Sequence, residues 1–284
     1  MATDTSGPVR IAVAQLPSRL GELADNAHAI ADAIGTAAHK GAHLVVFPEC
    51  ALSGYMFDSR EAVAAASVTL DDAVIAPIHQ AARQHGIHAV VGLLERDGER
   101  LYNSAFITGP QGLLGNYRKQ HLPMLGADRY VDPGDGGGPR VVDIGGLKVG
   151  TMICFDLRFP ECARVLALEG ADVIAMPTNW PLTATFLADH MTRVRAVENL
   201  VYLAVADRAD SEAGTDFLGR SQVIAPNGEV LVHAGTEHTL VVADIDVSRA
   251  RCKHLVFTDP PYALPVFDGR RPELYGALTQ RTQK

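Results

Sequence analysis

The sequence predicts an α/β protein with two mixed β-sheets and helices on their outer faces, and three observations carry that expectation. Short apolar runs rich in β-branched residues recur along the 284-residue chain, and each reads as a strand. Ala-rich segments with helical spacing lie between several of them, and runs that are apolar on both parities imply strands covered on both faces. In two places strands follow one another through short turns, hairpin chemistry that parallel crossovers cannot use. Two such halves give two sheets.

The first strand is "VRIAVAQL" (9–16), followed by a helix over "LADNAHAIADAIGTAAHK" (23–40) that Gly41 stops. "HLVVF" (43–47) is the next strand, ended by Pro48, and "DAVIAPIHQAARQHG" (72–86) is a helix stopped by Gly86. Segment 88–119 holds strands "HAVVGLLE" (88–95) and "SAFIT" (104–108), with "RDGE" as a turn. "KVGTMIC" (148–154) is a strand, "PECARVLALEG" (160–170) a helix with Gly170 at its end, and "ADVIAMP" (171–177) a strand. A helix over "FLADHMTRVRAVEN" (186–199) precedes strand "LVYLAVAD" (200–207). Segment 215–246 contains the turn "PNGE" and ends in strand "TLVVADID" (239–246). The longest irregular stretch, "RYVDPGDGGGPR" (129–140), reads as a loop rather than a linker, so one domain is expected over 1–284, with a core over about 9–250 and a tail over 251–284.

A net charge of −8, with basic residues occurring singly or as pairs such as Arg118–Lys119 and Arg270–Arg271, gives no stripe for a phosphate backbone, so no nucleic-acid partner is expected. "MATDTSGPVR" lacks the charged start and apolar stretch of a signal peptide, and no apolar run reaches bilayer length, so a cytoplasmic protein without a membrane partner is expected. The four cysteines, Cys50, Cys154, Cys162 and Cys252, show no CxxC pair or Cys/His ligand spacing. Reduced thiols and no metal site follow.

Three reactive side chains sit where strands end: Glu49 in "HLVVFPEC", Lys119 in "NYRKQHLP" and Cys154 in "KVGTMICFD". Strand ends are where open α/β folds bind ligands. A thiol needs a nearby base or cation to be an efficient nucleophile; a carboxylate can take its proton and hand it to a leaving amine; an ammonium can hold the negative oxygen of a tetrahedral intermediate, helped by the N–H of Phe155. Taken singly each has a plain structural explanation: a core thiol, an acid at a helix start, a solvated charge.

Taken in order, they resemble the carbon–nitrogen hydrolase family of the nitrilase superfamily, in its amidase-like branch. "VVFPECALSGY" (45–55) is similar to the family's glutamate motif, "NYRKQHLP" (116–123) to its lysine motif and "VGTMICFDLRFPECAR" (149–164) to its cysteine motif. "MPTNW" (176–180), "RAVENLVYLAVAD" (195–207), "FLGRSQVIAPNGEVL" (217–231) and "DIDVSRAR" (244–251) extend the resemblance. It implies a four-layer α-β-β-α sandwich, catalysis by Glu49 as base, Lys119 as oxyanion stabiliser and Cys154 as nucleophile, no metal or organic cofactor, and a homodimer or larger homo-oligomer. Many members carry a second glutamate six or seven residues after the lysine; Leu125 and Gly126 stand there, and Asp128 is the nearest acid, either a substitute or a turn residue that pairs with Arg129. Tyr55, Asn179 and Trp180 are expected to line the substrate pocket, Arg195 and Glu198 to form a structural ion pair, and Arg158 and Glu161 to fix the nucleophile's turn.

The expected activity is hydrolysis of a small carboxamide to acid and ammonia through a cysteine thioester. Hydrolysis of N-carbamoyl compounds or of nitriles are alternatives within this chemistry, with Cys154-Phe155-Asp156 in place of Cys-Trp-Glu favouring the amide. Two alternatives of other classes are a non-catalytic interaction protein that kept the fold and a metal-dependent phosphoesterase. The second needs Asp, His and Asn at strand ends, where this chain has Glu, Lys and Cys.

Overall fold

The computed structural model describes residues 8–136, 141–258 and 260–280. Positions 137–140 of the expected loop lie outside them. In the first half of the chain come β1 (Val9–Gln15), α1 (Leu23–His39), β2 (Leu44–Val46), α2 (Arg60–Ala65), α3 (Ala76–His85), β3 (His88–Asp97), β4 (Arg100–Gly109) and β5 (Gly112–Arg118). The second half has β6 (Val141–Asp143), β7 (Lys148–Thr151), α4 (Pro160–Leu168), β8 (Val173–Pro177), α5 (Thr192–Asn199), β9 (Tyr202–Ala206), a small hairpin β10 (Ser211–Glu212) and β11 (Thr215–Asp216), β12 (Gln222–Ile224), β13 (Val230–His233) and β14 (Thr239–Ile245). After α6 (Val247–Arg251) the chain ends in a separate hairpin, β15 (Leu255–Thr258) and β16 (Pro261–Leu264), and two short 3-10 turns.

Two six-stranded sheets result, ordered β14-β1-β2-β3-β4-β5 and β13-β12-β9-β8-β7-β6. Each has a parallel centre, β1-β2-β3 in one and β7-β8-β9 in the other, flanked by antiparallel strands, so both are mixed as expected. The turns "RDGE" and "PNGE" join β3 to β4 and β12 to β13. One assignment changes: β14, grouped by sequence with its neighbouring strands, crosses over and pairs antiparallel with β1, so the second half of the chain closes the edge of the first sheet.

Side-chain alternation along a strand explains the layering. Ile11, Val13, Leu44, Val46 and Val90 join an apolar cluster with Val149, Val173, Leu203 and Val205 of the second sheet. Their neighbours Ala12, Ala14, Val45, Ala89 and Val91 join another cluster with Ile30 and Ile34 of α1 and Ile78 of α3. On the far side, Ala163 and Leu166 of α4 and Ala196 of α5 pack on the second sheet, and Gly150 of β7 leaves room for Leu166, whose Cβ lies 3.2 Å from where a glycine-replacing Cβ would stand. The result is the α-β-β-α sandwich. Each fully buried Val, Leu or Ile contributes about 1.5–3 kcal/mol, so the seam between the sheets outweighs any strand propensity.

Three local details depart from the expected elements. The helix over 72–86 opens as a 3-10 turn, Ala73–Ile75, before Pro77 takes an early position in α3 where its missing N–H costs nothing. The helix over 186–199 opens as a π-helical turn, Leu187–Met191. Helices α2 and α6 are too short to show a period.

Candidate active site

Glu49, Lys119 and Cys154 follow the C-terminal ends of β2, β5 and β7, two on the first sheet and one on the second, so the seam brings them together. Pro48 ends the strand and residues 50–54 turn back on themselves, with Ser53 and Gly54 N–H donating to the Cys50 carbonyl at 3.0 and 2.9 Å. The loop lies directly on β3: a Cβ at Gly92 would stand 2.4 Å from the Pro48 carbonyl oxygen and 2.8 Å from Glu49 Cα, so only glycine admits Glu49 here. Lys119 is fixed by main-chain bonds, its N–H to Asn103 O and its carbonyl to Gly134 N–H, both 2.8 Å.

Cys154 has φ +46°, a left-handed conformation that costs a non-glycine residue about 1–3 kcal/mol and is kept where surroundings enforce it. It opens a 3-10 turn, Cys154–Arg158. Asp156 holds that turn: its Oδ2 accepts from Ile153 N–H at 3.0 Å and Tyr117 OH at 2.7 Å, and its Oδ1 from His121 N–H at 3.1 Å. This role belongs to Asp156 and not to Arg158 or Glu161. The Arg195–Glu198 pair is present at 2.9 Å.

The side chains of Glu49, Lys119 and Asp128 are fully buried. Lys119 Nζ donates to Glu49 Oε1 at 2.6 Å and to Asp128 Oδ2 at 2.5 Å. Asn103 Nδ2 bridges the same two acids, 2.7 Å from Glu49 Oε1 and 2.8 Å from Asp128 Oδ1. Asp128 therefore pairs with Lys119; the alternative of a turn residue paired with Arg129 does not hold. Glu49 Oε2 is buried with no hydrogen-bond partner among the described residues. One carboxylate oxygen is thus anchored and the other is left for chemistry.

The charges set the protonation states. Burial disfavours the Lys119 ammonium, but Asp128 and Glu49 outweigh it and lift its pKa well above the ordinary value. Burial raises Glu49, Lys119 opposes this, and the negative charge of Asp128 raises it again; the net direction is up. Burial and then Glu49 raise the Cys154 thiol, against the pull of Lys119, Thr178 and the Asn179 N–H. Cys154 therefore rests as a thiol, with an acid nearby whose charge opposes thiolate formation.

The residues expected to line a pocket are placed as follows. Tyr55 is buried and its OH donates to Asp128 at 2.8 Å and to the Leu125 carbonyl at 3.0 Å, so it supports Asp128. Asn179 Nδ2 donates to the Glu49 carbonyl at 2.8 Å, and its Oδ1 has no hydrogen-bond partner among the described residues. Trp180 is buried in the core cluster, its main-chain N–H donating to Asp207 Oδ1 at 3.1 Å. Phe155 is the second residue of the turn that opens at Cys154, where the first N–H groups lack acceptors within the helix, and its ring meets Phe159 edge-on.

Several supporting residues were not found from sequence. Asn103 had a usable signal, a polar residue within a strand that is otherwise buried. Asp207 is buried, its Oδ2 without a hydrogen-bond partner among the described residues and its pKa lifted well above the ordinary value by burial. Arg208, also buried, donates to Glu212 at 2.7 Å and to Asp210 at 2.6 Å; Glu212 in turn accepts from Tyr55 N–H at 2.8 Å and Met56 N–H at 2.6 Å. This network ties the β10–β11 hairpin to the loop that carries Tyr55.

The profile of the carbon–nitrogen hydrolases matches residues 10–253. The chain belongs to that family. It is 40% identical over 269 residues to a nitrilase from Pyrococcus abyssi, covering 94% of this chain and 99% of that one. A 2-oxoglutaramate amidase from Bacillus subtilis is 30% identical over 240 residues, 83% of this carbon–nitrogen hydrolase and 88% of the relative. Among solved structures, an amidase of the nitrilase superfamily from Nesterenkonia AN1 superposes with a TM-score of 0.80 at 28% identity, covering 95% of this chain and 97% of its own. That amidase has also been solved in complex with acrylamide. The nitrilase-superfamily resemblance read from three motifs is confirmed, in its amidase-like branch, and the phosphoesterase alternative falls. No helix among the described residues is long and apolar enough to cross a membrane.

Proposed function

We propose that this family member hydrolyses a small carboxamide to its acid and ammonia, without metal or organic cofactor. The observation that carries the reading is the buried Glu49–Lys119–Asp128 cluster with one free carboxylate oxygen beside a strained cysteine. Cys154 Sγ attacks the carbonyl carbon while its proton passes to Glu49 Oε2. Negative charge collects on the carbonyl oxygen, where the Lys119 ammonium and the Phe155 N–H stabilise it. Glu49 gives the proton to the nitrogen, the C–N bond breaks, and ammonia leaves a thioester. Water then adds to the thioester, losing a proton to Glu49, and the acid departs as Sγ is reprotonated. Asp128 takes the place of the second glutamate, holding Lys119 and orienting water, and Asn179 and Trp180 shape the pocket.

The amidases from B. subtilis and Nesterenkonia, the latter in complex with acrylamide, support an amide substrate. A second reading, nitrile hydrolysis, is favoured by the 40% identity to the P. abyssi nitrilase. The deciding experiment measures ammonia from an aliphatic amide, the nitrile of the same skeleton, and an N-carbamoyl amino acid. The expected result is the highest kcat/KM for the amide. A better nitrile gives the second reading; fastest release of carbon dioxide from the N-carbamoyl compound assigns that branch; no turnover of any, with thiol alkylation at the rate of free cysteine, leaves a non-catalytic protein. The proposal extends to a cytoplasmic homo-oligomer built from one catalytic domain over 1–284.

A further inference from the structure

At the turn that opens at Cys154, three side chains from separate segments converge. His121 lies just past the lysine strand, Asp156 within the turn, and Cys162 in the first turns of α4. Their atoms His121 Nδ1, Asp156 Oδ1 and Cys162 Sγ all lie within 4.8 Å of one another. Nδ1 stands 2.7 Å from Oδ1 and 3.6 Å from Sγ. His121 and Cys162 line a cavity of about 180 Å³ together with Gln120 and Glu161.

We infer that His121, Asp156 and Cys162 form a binding site for a zinc-class divalent cation, with its fourth position open to this cavity. Zinc takes sulfur at about 2.3 Å and nitrogen or oxygen at about 2.0–2.1 Å in a tetrahedron, which sets a sulfur-to-nitrogen edge near 3.6 Å and a nitrogen-to-oxygen edge near 3.3 Å. The first edge is already present and the second needs about 0.6 Å of opening, within reach of a half-exposed imidazole. One thiolate, one imidazole and one carboxylate suit zinc or cobalt and not the hard cations magnesium and calcium, which want oxygen alone. The ring of His121 stacks on Phe159 with centroids 3.6 Å apart and planes at 13°, which fixes the direction of Nδ1. Asp156 Oδ2 is held by Tyr117 and Ile153, the kind of supporting contact that orients a metal ligand. Water or Glu161 would fill the fourth position.

Binding is a proton exchange. The thiol of Cys162 releases its proton to solvent and binds as thiolate; His121 presents Nδ1 as its lone-pair nitrogen and carries its proton on Nε2. No oxidant or reductant is needed. The three ligands are 35 and 6 residues apart in sequence order, spacings unlike the short pairs of a zinc ribbon, so no ligand motif marks them in the linear chain. The site takes no part in the proposed hydrolysis.

The test titrates cobalt(II) into the Cys154→Ala protein, where the proposed nucleophile cannot supply a thiolate. The expected result is one bound cobalt, with a thiolate-to-cobalt charge-transfer band in the near ultraviolet and visible bands of four-coordinate intensity. Adding Cys162→Ser, a near-isosteric change at a half-buried position, removes the charge-transfer band and weakens binding by about tenfold or more. Cys252→Ser in the same background, at an exposed thiol, leaves both unchanged. Absence of the band in Cys154→Ala, or its survival in Cys154→Ala/Cys162→Ser, overturns the inference. Amide hydrolysis by the wild-type chain is assayed separately, so the site can fail while the proposed function stands, and the reverse.

Discussion

At Cys154, a backbone held at φ +46° and a thiol raised by burial and by Glu49 fit the proposed nucleophile, whose proton would pass to the unpartnered Glu49 Oε2. Cys154→Ala is expected to abolish turnover and to change stability by about 1 kcal/mol, checked by ammonia release and by thermal unfolding. With a slow substrate the wild-type chain gains mass on the peptide containing Cys154; mass on Cys50 or Cys162 instead moves the nucleophile. The pH dependence reports Glu49. As the proposed base it would work ionised, so activity is expected to be lost as pH falls through its pKa, and because that pKa is raised the acid limb of kcat/KM is expected above the ordinary 4.5. Asp128 is one of the charges that raise it. Asp128→Asn therefore moves the acid limb to lower pH, while kcat falls by on the order of 100-fold as Lys119 loses a partner and shifts. An acid limb that stays in place in Asp128→Asn means that another group controls it. The three residues Glu49, Lys119 and Cys154 were legible because strand ends and motif order mark them. Asn103 carried only the signal of a polar residue in a buried strand and Asp207 none, since nothing in a linear spacing shows which buried polar groups face one another across two sheets.

Among the elements, β3 sets the depth of the site. Its Gly92 lets the Glu49 loop rest on the strand, with Cys50 N 2.6 Å from the position of an added Cβ and the Pro48 carbonyl oxygen at 2.4 Å. Both are main-chain atoms and cannot swing aside, so Gly92→Ala must displace the loop. The expected cost is about 1–3 kcal/mol in stability, with a larger relative loss in kcat, because Glu49 moves against Lys119. Gly276→Ala, where an added Cβ meets nothing within 4 Å, is the matched control and should leave kinetics unchanged. Equal activity in the two variants would show that the loop tolerates the shift. The long elements were readable from sequence because their burial imposes a period: both faces of β1 and β8 are covered, and α1 buries Ile30, Ile34 and Ala37 on one side. What period could not reveal was destination. Strand β14 has the same apolar character whether it pairs with β13 or β1, and only the closed edge of the first sheet decides it.

For the whole molecule, the last part of the chain has the character of a surface meant to be covered. Beyond α6, the β15–β16 hairpin belongs to neither main sheet, and Val256, Phe257, Tyr262 and Leu264 on it, with Leu274 and Leu278 after it, are exposed. Phe257 and Tyr262 stack face to face, centroids 4.5 Å apart, and Leu264, paired with Leu255, shares their face of the hairpin. Scattered single apolar residues on a surface need no explanation, but a run of this density on one appendage is what association sites show. The family resemblance leads to the same expectation of a homo-oligomer. Sedimentation equilibrium should therefore give a mass at least twice the 30.3 kDa of the chain, and replacing Phe257 and Leu264 together by Asp should return it toward the monomer. Neither position contacts Glu49, Lys119 or Cys154, so a monomer made this way also measures how far assembly supports the site. Undiminished kcat places the complete machinery in one chain, whereas a loss restored at high protein concentration makes the partner part of it. A wild-type chain that sediments as a monomer removes assembly from the proposed function and leaves this apolar arm to another occupant.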